Sequence, residues 1–553
     1  MIKNLTNQIK TIKIGLGVVV LLTLLKLVLV YQMPIYICPP LAPIDDDLMF
    51  RAALSITEGN WLGEYNWLTM SKHMFFSVWL ALLHFLKIPY HVGGQLLWAA
   101  ACAVCAQAFS PVLPKGNSKA VLYLFLLWNP ATVAEFTFRV YRDNIFPALC
   151  LLFFSAVIGV ALRCSEAVLK QLPYLIIMGL SFGLIYLTRE DGIWVLPFYI
   201  CGTAITLFFI LQNKTLKNKV QRLAVFIIPV ILSATCIAAY CGMNYRHYGR
   251  FIVSDFTSSE FQDAVGAMTR ITPTEWDPYV SVPLETRELL YEHAPLFALL
   301  EGNLEGADIG NSYRHSYSGD FRSGAYYWAL RKAVFLEGFY IDASSSEAYY
   351  VEIASQINAL CDAGIIPAGP ARSGTTPPFN TFYILPTLQE SARSTSVVLL
   401  FNQTNPRVAM SVGRPDEIQE VEEYLYSYGI VAAIENTAEP YYSPVLKLVY
   451  LFFDAIRFCY AIILPLLFCI GIFSFFKNIA VLFKKDESQT EKILFWVLLG
   501  LLLMSVLRIA MISFMEVSSF QIGTYIMYLS TVHPLILIFA FFSLRYVKQK
   551  AKP

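Results

Sequence analysis

The sequence predicts an all-α polytopic membrane protein with about ten transmembrane helices. Of its 553 residues, 56% are hydrophobic and only 15% are charged, whereas a soluble globular chain usually carries ~25% charged residues. The mean hydropathy of +0.54 points the same way. Because the net charge is only +1 and no basic stripe with interleaved aromatic residues occurs, nucleic acid is excluded as a partner.

Ten apolar segments are long enough to cross a bilayer, which takes ~20 mostly apolar residues in a helix. Seven of them precede a long hydrophilic stretch: 12–31, 92–110, 119–137, 144–163, 172–188, 191–211 and 222–243. Three more follow it: 446–476, 492–515 and 521–544. The first segment lacks a small-residue cleavage site, so we expect a retained signal anchor.

Basic residues fix the direction of the spans, because cytoplasmic loops carry an excess of Lys and Arg. Four basic groups mark the cytoplasmic side: 3–13, 214–222, 477–485 and 545–552. Counting spans between them works only if the apolar segment 74–88 does not cross. We therefore predict an interfacial helix at 74–88 within a first outer loop, 32–91. Both termini are then cytoplasmic, and the expected location is a bacterial inner (plasma) membrane.

The hydrophilic stretch 244–445 falls on the extracytoplasmic side by the same count. Its Trp, Tyr, Pro and mixed charges are typical of a folded domain and not of a linker. Apolar residues recur every three or four positions over 325–336 and 347–360, which predicts helices. The predicted division is therefore a membrane module at 1–243, a mainly helical extracytoplasmic domain at 244–445, and a three-helix membrane module at 446–553.

Charged residues collect near the predicted outer ends of the spans. A charge at membrane depth costs at least ~2.5 kcal/mol, so such residues often mark function. The clusters are Asp45, Asp46 and Asp47; Lys72 and His73; Glu135, Arg139, Arg142 and Asp143; Arg189, Glu190 and Asp191; and, in the late spans, Asp454, Arg457, Arg508 and Glu516. Each cluster alone could be a solvated boundary, a self-paired turn or a membrane anchor. Independent anchors, however, need not share one side.

The chemistry of these clusters suits group transfer from a lipid phosphate. A carboxylate can accept a proton from a nucleophile or hold a divalent cation, and Arg and Lys neutralise phosphates. A polyprenyl tail would lie in the bilayer, and the sequence contains no Walker or dinucleotide-binding motif. Nearby aromatic residues, Trp61, Tyr65 and Trp67, fit either a membrane-interface belt or a sugar platform.

This arrangement resembles the GT-C superfamily of polytopic glycosyltransferases, particularly the polyprenyl- or dolichyl-phosphate mannosyltransferases and the aminoarabinose transferases. Members have an acidic pair after the first span, which Asp45-Asp46-Asp47 resembles. The stretch from Gly59 through Lys72 is similar to the segment leading into the family's amphipathic helix. Asn129-Pro130 and Arg139-Val140-Tyr141-Arg142 resemble the third span and second outer loop. The resemblance covers residues 12–243, a seven-helix module.

The resemblance implies an inverting glycosyltransferase that moves a sugar from a polyprenyl-phosphate carrier to an extracytoplasmic glycan, lipid or protein. Asp45 or Asp46 would be the general base, or the ligand of Mg²⁺ or Mn²⁺ if the reaction uses a metal, with Asp47 as a third candidate. No other cofactor is implied. The residues that would bind the carrier phosphate or the acceptor are Lys72, His73, Arg139, Arg142, Asp143, Arg189, Glu190, Asp191, Arg457 and Arg508. Membrane lipids are the remaining partners.

A transporter or flippase of a lipid-linked or anionic substrate is the main alternative, because it would also need outer cations. Transporters built from inverted repeats show paired halves with charges near the midplane. Seven spans against three, with the charges at the outer boundary, favour the enzyme. A third alternative is a non-catalytic scaffold of envelope assembly, in which the outer domain does the binding.

Overall fold

A computed structural model describes residues 15–40, 42–114, 116–316, 318–322, 324–376, 378–431, 442–479, 488–520, 523 and 526–548. Within these residues every regular element is helical, and strand-like pairing is limited to isolated backbone bridges. Three of the basic groups that orient the predicted spans lie wholly or partly outside the described residues: 3–13, 477–485 and 545–552.

The first part of the chain is a series of helices. They are α1 (Leu16–Tyr31), α2 (Asp46–Thr57), α3 (Phe75–Leu86), α4 (Tyr90–Ala108), α5 (Ser118–Leu127), α6 (Phe146–Leu162), α7 (Val168–Thr188), α8 (Leu196–Gln212), α9 (Lys219–Ala224) and α10 (Ile227–Tyr248). Short 3₁₀ turns lie at Pro130–Val133, Glu135–Thr137, Arg142–Asn144 and Glu190–Val195. Gly249 ends α10 with a φ of 77°, a left-handed conformation that suits glycine after a helix.

The rest of the chain is also helical. The hydrophilic insertion contains α11 (Ser259–Thr269), α12 (Leu284–His293), α13 (Pro295–Ala298), α14 (Glu301–Leu304), α15 (Ala307–Tyr313), α16 (Gly324–Leu336), α17 (Ala343–Asp362), α18 (Ile384–Leu399) and α19 (Pro415–Leu425). The C-terminal part contains α20 (Pro444–Lys477), α21 (Gln489–Met515), α22 (Ile526–Leu529) and α23 (Val532–Lys548). The helices predicted at 325–336 and 347–360 are confirmed as α16 and α17.

Five helices in the described chain are long and apolar enough to cross a membrane: Val168–Thr188, Glu190–Gln212, Lys219–Tyr248, Pro444–Lys477 and Gln489–Ser519. The pair formed by α3 and α4 is a sixth candidate. Shorter apolar helices, α1, α5, α6 and α23, lie at four of the other predicted positions. The protein is therefore an all-helical membrane protein, and the count of ten spans stays a prediction.

The third predicted span, 119–137, is wrong as a single helix. Its helical part, α5, ends at Leu127, and only short 3₁₀ turns follow. Pro130 cannot donate a backbone hydrogen bond, and the Asn129 side chain instead accepts one from the N–H of Ala131 at 3.2 Å. Asn129, Pro130 and Glu135 in the second half of the segment were the available signal for this break.

Lys26 of α1 satisfies the carbonyl that this break leaves open. Its ammonium is fully buried and donates to the carbonyl of Leu127 at 2.6 Å and to the hydroxyl of Thr132 at 2.8 Å. A cation at a helix C-terminus is favourable because the last carbonyls carry partial negative charge. These contacts with the end of α5 explain why the apolar helix α1 contains a buried lysine.

Helices α3 and α4 meet at an angle of 106°. Lys87, between them, takes a left-handed conformation with a φ of 53°. A near-perpendicular approach is the geometry expected of a helix that lies on a membrane surface before the chain turns into a span. This supports an interfacial position of 74–88, which remains a prediction.

The hydrophilic insertion packs in two parts. Helices α11 to α17 enclose a core of their own, which includes Phe261, Leu330 and Ile353. Helices α18 and α19 instead contribute Val398 and Leu425 to the core of the membrane helices. The second part of the insertion is therefore joined to the membrane modules and does not belong to a separate outer domain.

Candidate functional site

The backbone brings the chain that follows α1 next to the turn that precedes α6. The N–H of Tyr36 donates to the carbonyl of Phe138 at 3.2 Å, and the N–H of Val140 donates back to Tyr36 at 3.0 Å. This short bridge places the chain that leads into α2 beside Arg139. The acidic and basic clusters, some ninety residues apart in sequence, are thereby held together.

Asp46 occupies the buried side of this junction. Its side chain is fully buried, accepts a hydrogen bond from the N–H of Cys38 at 3.1 Å, and forms an ion pair with Arg139. As the first residue of α2 it also lies at the positive end of the helix dipole. Asp46 therefore fixes Arg139 and has no open face of its own.

Asp45 has a different environment. Its carboxylate accepts a hydrogen bond from the ammonium of Lys72 and one from the hydroxyl of Tyr141 at 2.9 Å, and it lies 3.6 Å from Arg139. Nevertheless, 32% of its side chain stays accessible. Of the two adjacent aspartates, only Asp45 can meet an incoming ligand without rearrangement.

Tyr141 connects these groups, although it was not among the predicted site residues. Its hydroxyl accepts hydrogen bonds from Arg142 at 2.7 Å and from Lys72 at 3.3 Å while it donates to Asp45. The guanidinium carbons of Arg139 and Arg142 each lie 4.9 Å from its ring centre, a distance typical of cation–π contacts. Its position between two arginines in the sequence was the available signal.

The loop between α7 and α8 extends the network through Glu190. This carboxylate pairs with Arg142 at 2.8 and 3.1 Å and accepts the backbone N–H of His73 at 3.0 Å. The His73 ring contacts the backbone carbonyl of Tyr186 and packs against the aromatic ring of the same tyrosine. His73 is therefore fixed by the protein itself, and it connects the Lys72 segment to Glu190.

Arg189 and Arg508 complete the network on its far side. Arg189 donates to the buried Asp143 at 3.0 Å and to Asp191 at 2.9 and 3.3 Å. Arg508, from the late helix α21, reaches the same Asp191 at 2.7 Å. The C-terminal module thus supplies a cation to a cluster that is otherwise built by the first module.

Burial distinguishes the five cations from three of the five carboxylates, because Asp46 and Asp143 are themselves buried. The side chains of the cations are 0–14% exposed, whereas those of Asp45, Glu190 and Asp191 are 27–33% exposed. Five cations face five carboxylates, so their formal charges cancel: Lys72, Arg139, Arg142, Arg189 and Arg508 against Asp45, Asp46, Asp143, Glu190 and Asp191. A ligand that enters would first meet the exposed carboxylate oxygens, and the buried cations lie behind them.

These surroundings set the ionisation of the accessible groups. Burial alone would raise the pKa of Asp45, but Lys72 and Arg139 outweigh it and hold that pKa well below its usual range. Burial lowers the pKa of Lys72, with Arg142 acting in the same direction, although Asp45 opposes the shift. Asp45 is therefore ionised at neutral pH, and Lys72 loses its proton more easily than an exposed lysine does.

The structure does not bring Asp47 or Arg457 into this network. Asp47 points elsewhere on α2 and pairs with Arg51 at 3.3 Å, and Arg51 also binds Glu420 at 2.6 Å. Arg457 pairs with Asp454 on α20 at 3.0 Å. Successive residues at a helix start face different directions, which is why the sequence left the choice among three aspartates open.

The domain that contains α11 to α17, called the outer domain after its predicted side, packs directly against the Lys72 segment. The ring of Trp328 lies 5.3 Å from the Lys72 ammonium, and the N–H of Asp255 donates to the carbonyl of Met70 at 2.8 Å. Tyr65 and Trp67, which fitted either a membrane belt or a sugar platform, pack against aromatic rings of the outer domain. They hold the domain in place beside the network.

The acidic residues present no preformed metal centre. In the described part of the chain, no three His, Cys, Asp or Glu side chains converge so that they could hold a metal ion. The carboxylates of Asp45 and Asp46 already have Lys72, Tyr141, Arg139 and a backbone N–H as partners. A divalent cation would have to displace these groups, so the donor set as arranged does not fit one.

Comparisons with known proteins do not assign a function to this chain. No family profile matches the sequence, and no curated protein is significantly similar to it. Among solved structures, the chain is similar to one described as the crystal structure of ArnT from Cupriavidus metallidurans in the apo state. The superposition has a TM-score of 0.30 and 11% sequence identity, and it covers 91% of this chain and 78% of that one. A likeness of this size carries no argument about fold or function.

Proposed function

We propose that this protein is an inverting membrane glycosyltransferase of the GT-C type, which transfers a sugar from a polyprenyl-phosphate carrier to an extracytoplasmic acceptor. The observation that carries the proposal is the single charged network. The network contains two carboxylates from the chain after α1 and a lysine from the segment before α3. It also contains charged residues from two further predicted outer loops and from one late helix. Independent membrane anchors would not need to meet.

The cations account for recognition of the carrier phosphate. Lys72 and Arg139 pair with Asp45. A phosphate oxygen is an equally good partner for both, because charge-assisted hydrogen bonds to phosphate and to carboxylate are similar in strength. A bound donor would therefore compete with Asp45 for its cations, and the pKa of Asp45 would rise from its depressed value. Donor binding thus makes Asp45 a stronger base.

The transfer step then follows. A hydroxyl of the acceptor attacks the anomeric carbon of the donor sugar, and its proton passes to the carboxylate of Asp45. The bond between the anomeric carbon and the phosphate oxygen breaks, and the electron pair leaves with the carrier phosphate. Lys72, Arg139 and Arg142 neutralise the charge that develops on that phosphate. Attack opposite to the leaving group inverts the anomeric configuration.

The remaining residues position these groups. Asp46 holds Arg139, Glu190 holds Arg142, and Asp191 connects Arg189 with Arg508. The outer domain beside Lys72 would bind the acceptor, be it a glycan, a lipid-linked saccharide or a protein. The proposed setting is a bacterial inner membrane, with both termini cytoplasmic and this network on the outer side. No step requires a divalent cation.

The three adjacent aspartates provide the test with a matched control. Asp45→Asn, Asp46→Asn and Asp47→Asn each remove one charge, but only the first two touch the network. In proteoliposomes that contain polyprenyl-phosphate sugar and an acceptor extract, we expect Asp45→Asn to lower transfer by about 10²–10⁴-fold. Asp46→Asn should also lower it, through loss of Arg139, and Asp47→Asn should stay within about twofold of the wild type.

The same assay separates the alternatives when free polyprenyl phosphate is measured. An enzyme releases it in step with sugar transfer. Movement of the intact donor across the bilayer without this release would identify a transporter or flippase. Full transfer by Asp45→Asn and Asp46→Asn proteins that insert normally would remove the catalytic role, and absence of any phenotype in cells would favour the scaffold.

A further inference from the structure

An exposed apolar segment lies at the start of α18. Five large apolar side chains are exposed within ten residues: Phe379, Phe382, Ile384, Leu385 and Leu388. The exposure of Phe379 reaches 74%. No charged residue occurs from Ser373 to Gln389 in the sequence. We call residues 379–388 the apolar segment; contiguous apolar surface of this kind marks a site of interaction with a protein or a membrane.

The apolar segment is continuous with the membrane helices. Tyr383 packs against Phe514, with ring centres 5.8 Å apart, and Phe514 lies in the last turn of α21. At the other end of α18, Phe401 packs against Tyr460 of α20 at 5.7 Å and His533 of α23 at 4.8 Å. The helix is therefore fixed among the spans, and its exposed apolar end lies level with the end of α21.

This end of α21 is on the same side as the charged network. Arg508 lies two turns before the end of α21 and binds Asp191, so the network and the apolar segment are successive layers along one helix. Trp276 of the outer domain extends the apolar surface, because its ring lies 5.7 Å from that of Phe382. A cavity of about 370 Å³ opens beside it, lined in part by Trp276 and Tyr383.

We propose that the apolar segment inserts into the outer leaflet of the bilayer and anchors the outer domain at the lipid surface. Lipid chains are the occupant that fits, because the segment carries no charge and adjoins a spanning helix. Trp276 at its edge is suited to the interface between lipid and water. The cavity lined by Trp276 then opens at this interface, where an amphiphilic molecule could enter it from the membrane. This placement does not depend on sugar transfer.

Photo-crosslinking in proteoliposomes tests the placement on the full chain. The variant Phe379→p-benzoylphenylalanine keeps an aromatic side chain, and Leu385→p-benzoylphenylalanine is a second probe should the first disturb insertion. The matched control is Ile341→p-benzoylphenylalanine, because Ile341 is 79% exposed but belongs to the outer domain. Mass spectrometry then measures the lipid adduct on each protein after irradiation.

We expect lipid adducts at Phe379 and Leu385 that exceed those at Ile341 by at least tenfold. Equal adducts at all three positions would overturn the proposal, since exposure alone would then explain them. Crosslinked dimers in place of lipid adducts would also overturn it, because the segment would then contact a second copy of the chain. Neither result would affect the proposed glycosyl transfer, which is measured separately.

Discussion

Replacing Arg189 by methionine should destabilise the protein strongly, because Arg189 neutralises a carboxylate that has no access to water. The side chains of Arg189 and Asp143 are only 4% and 1% exposed, and their ion pair is 3.0 Å long. The second oxygen of Asp143 has no hydrogen-bond partner among the described residues. Arg189→Met would leave a buried, unpaired charge, which costs about 3–5 kcal/mol.

Asp143→Asn should cost less, about 1–2 kcal/mol. Arg189 keeps its two hydrogen bonds to Asp191 in that variant, and the asparagine oxygen can still accept one from Arg189. In the double variant no unpaired carboxylate remains. Its cost should therefore be about 2 kcal/mol smaller than the sum of the two single costs, within the range of coupling between contacting residues.

The free energy of unfolding, measured in mixed micelles with increasing SDS, gives all corners of this cycle. Arg457→Met is the control, because the pair of Arg457 with Asp454 is partly exposed and should be worth no more than about 1 kcal/mol. Additive costs for Arg189→Met and Asp143→Asn would refute the reasoning, since the loops that carry them would then not depend on each other.

Three further predictions concern the proposed reaction. The donor KM should rise as the pH increases from 7 to 10. Burial lowers the pKa of Lys72, and deprotonation of Lys72 removes a charge that binds the phosphate. Lys72→Arg should abolish this rise, because arginine keeps its charge over the whole range. The low pKa of Asp45 keeps its carboxylate ionised, so the affinity for the donor should not fall between pH 7 and pH 5. Tyr141→Phe should lower kcat about tenfold or more with little change in donor KM, since it removes the hydroxyl that orients Asp45; an unchanged kcat would contradict this. Transfer should survive EDTA within about twofold, because Asp45 and Asp46 already have cationic partners, and its loss would show a metal requirement.

Hydropathy and the low content of charged residues were sufficient to predict a helical membrane protein. Averaging hydropathy over a whole span, however, did not locate a break within one predicted span. The segment 119–137 is apolar mainly in its first half, and Asn129 and Pro130 end its helix after Leu127. The buried Lys26 compensates that break from another helix. Averaging over a whole span conceals such a break, and the pairing of Lys26 with it depends on single hydrogen bonds between two helices.

The grouping of charges on one side could be predicted, whereas their pairing could not. Asp45, Asp46 and Asp47 are equivalent as a sequence pattern, and only the direction of each side chain at the start of α2 distinguishes them. The central position of Tyr141 also depends on how two loops meet. Likewise, Arg508 could be assigned to the site and Arg457 placed outside it only when the helix packing was known.

The affinity for a short-chain polyprenyl phosphate is the most direct measure of whether the buried cations form a carrier-phosphate site. Arg142 touches both Tyr141 and Glu190 in the network, whereas Arg457 lies outside it. Loss of a charge-assisted hydrogen bond costs about 1.5–3 kcal/mol, or roughly 10- to 150-fold in affinity. We predict that Arg142→Gln weakens binding by at least tenfold and that Arg457→Gln leaves it unchanged. Equal affinities of the two variants would contradict the central claim that this network binds the donor.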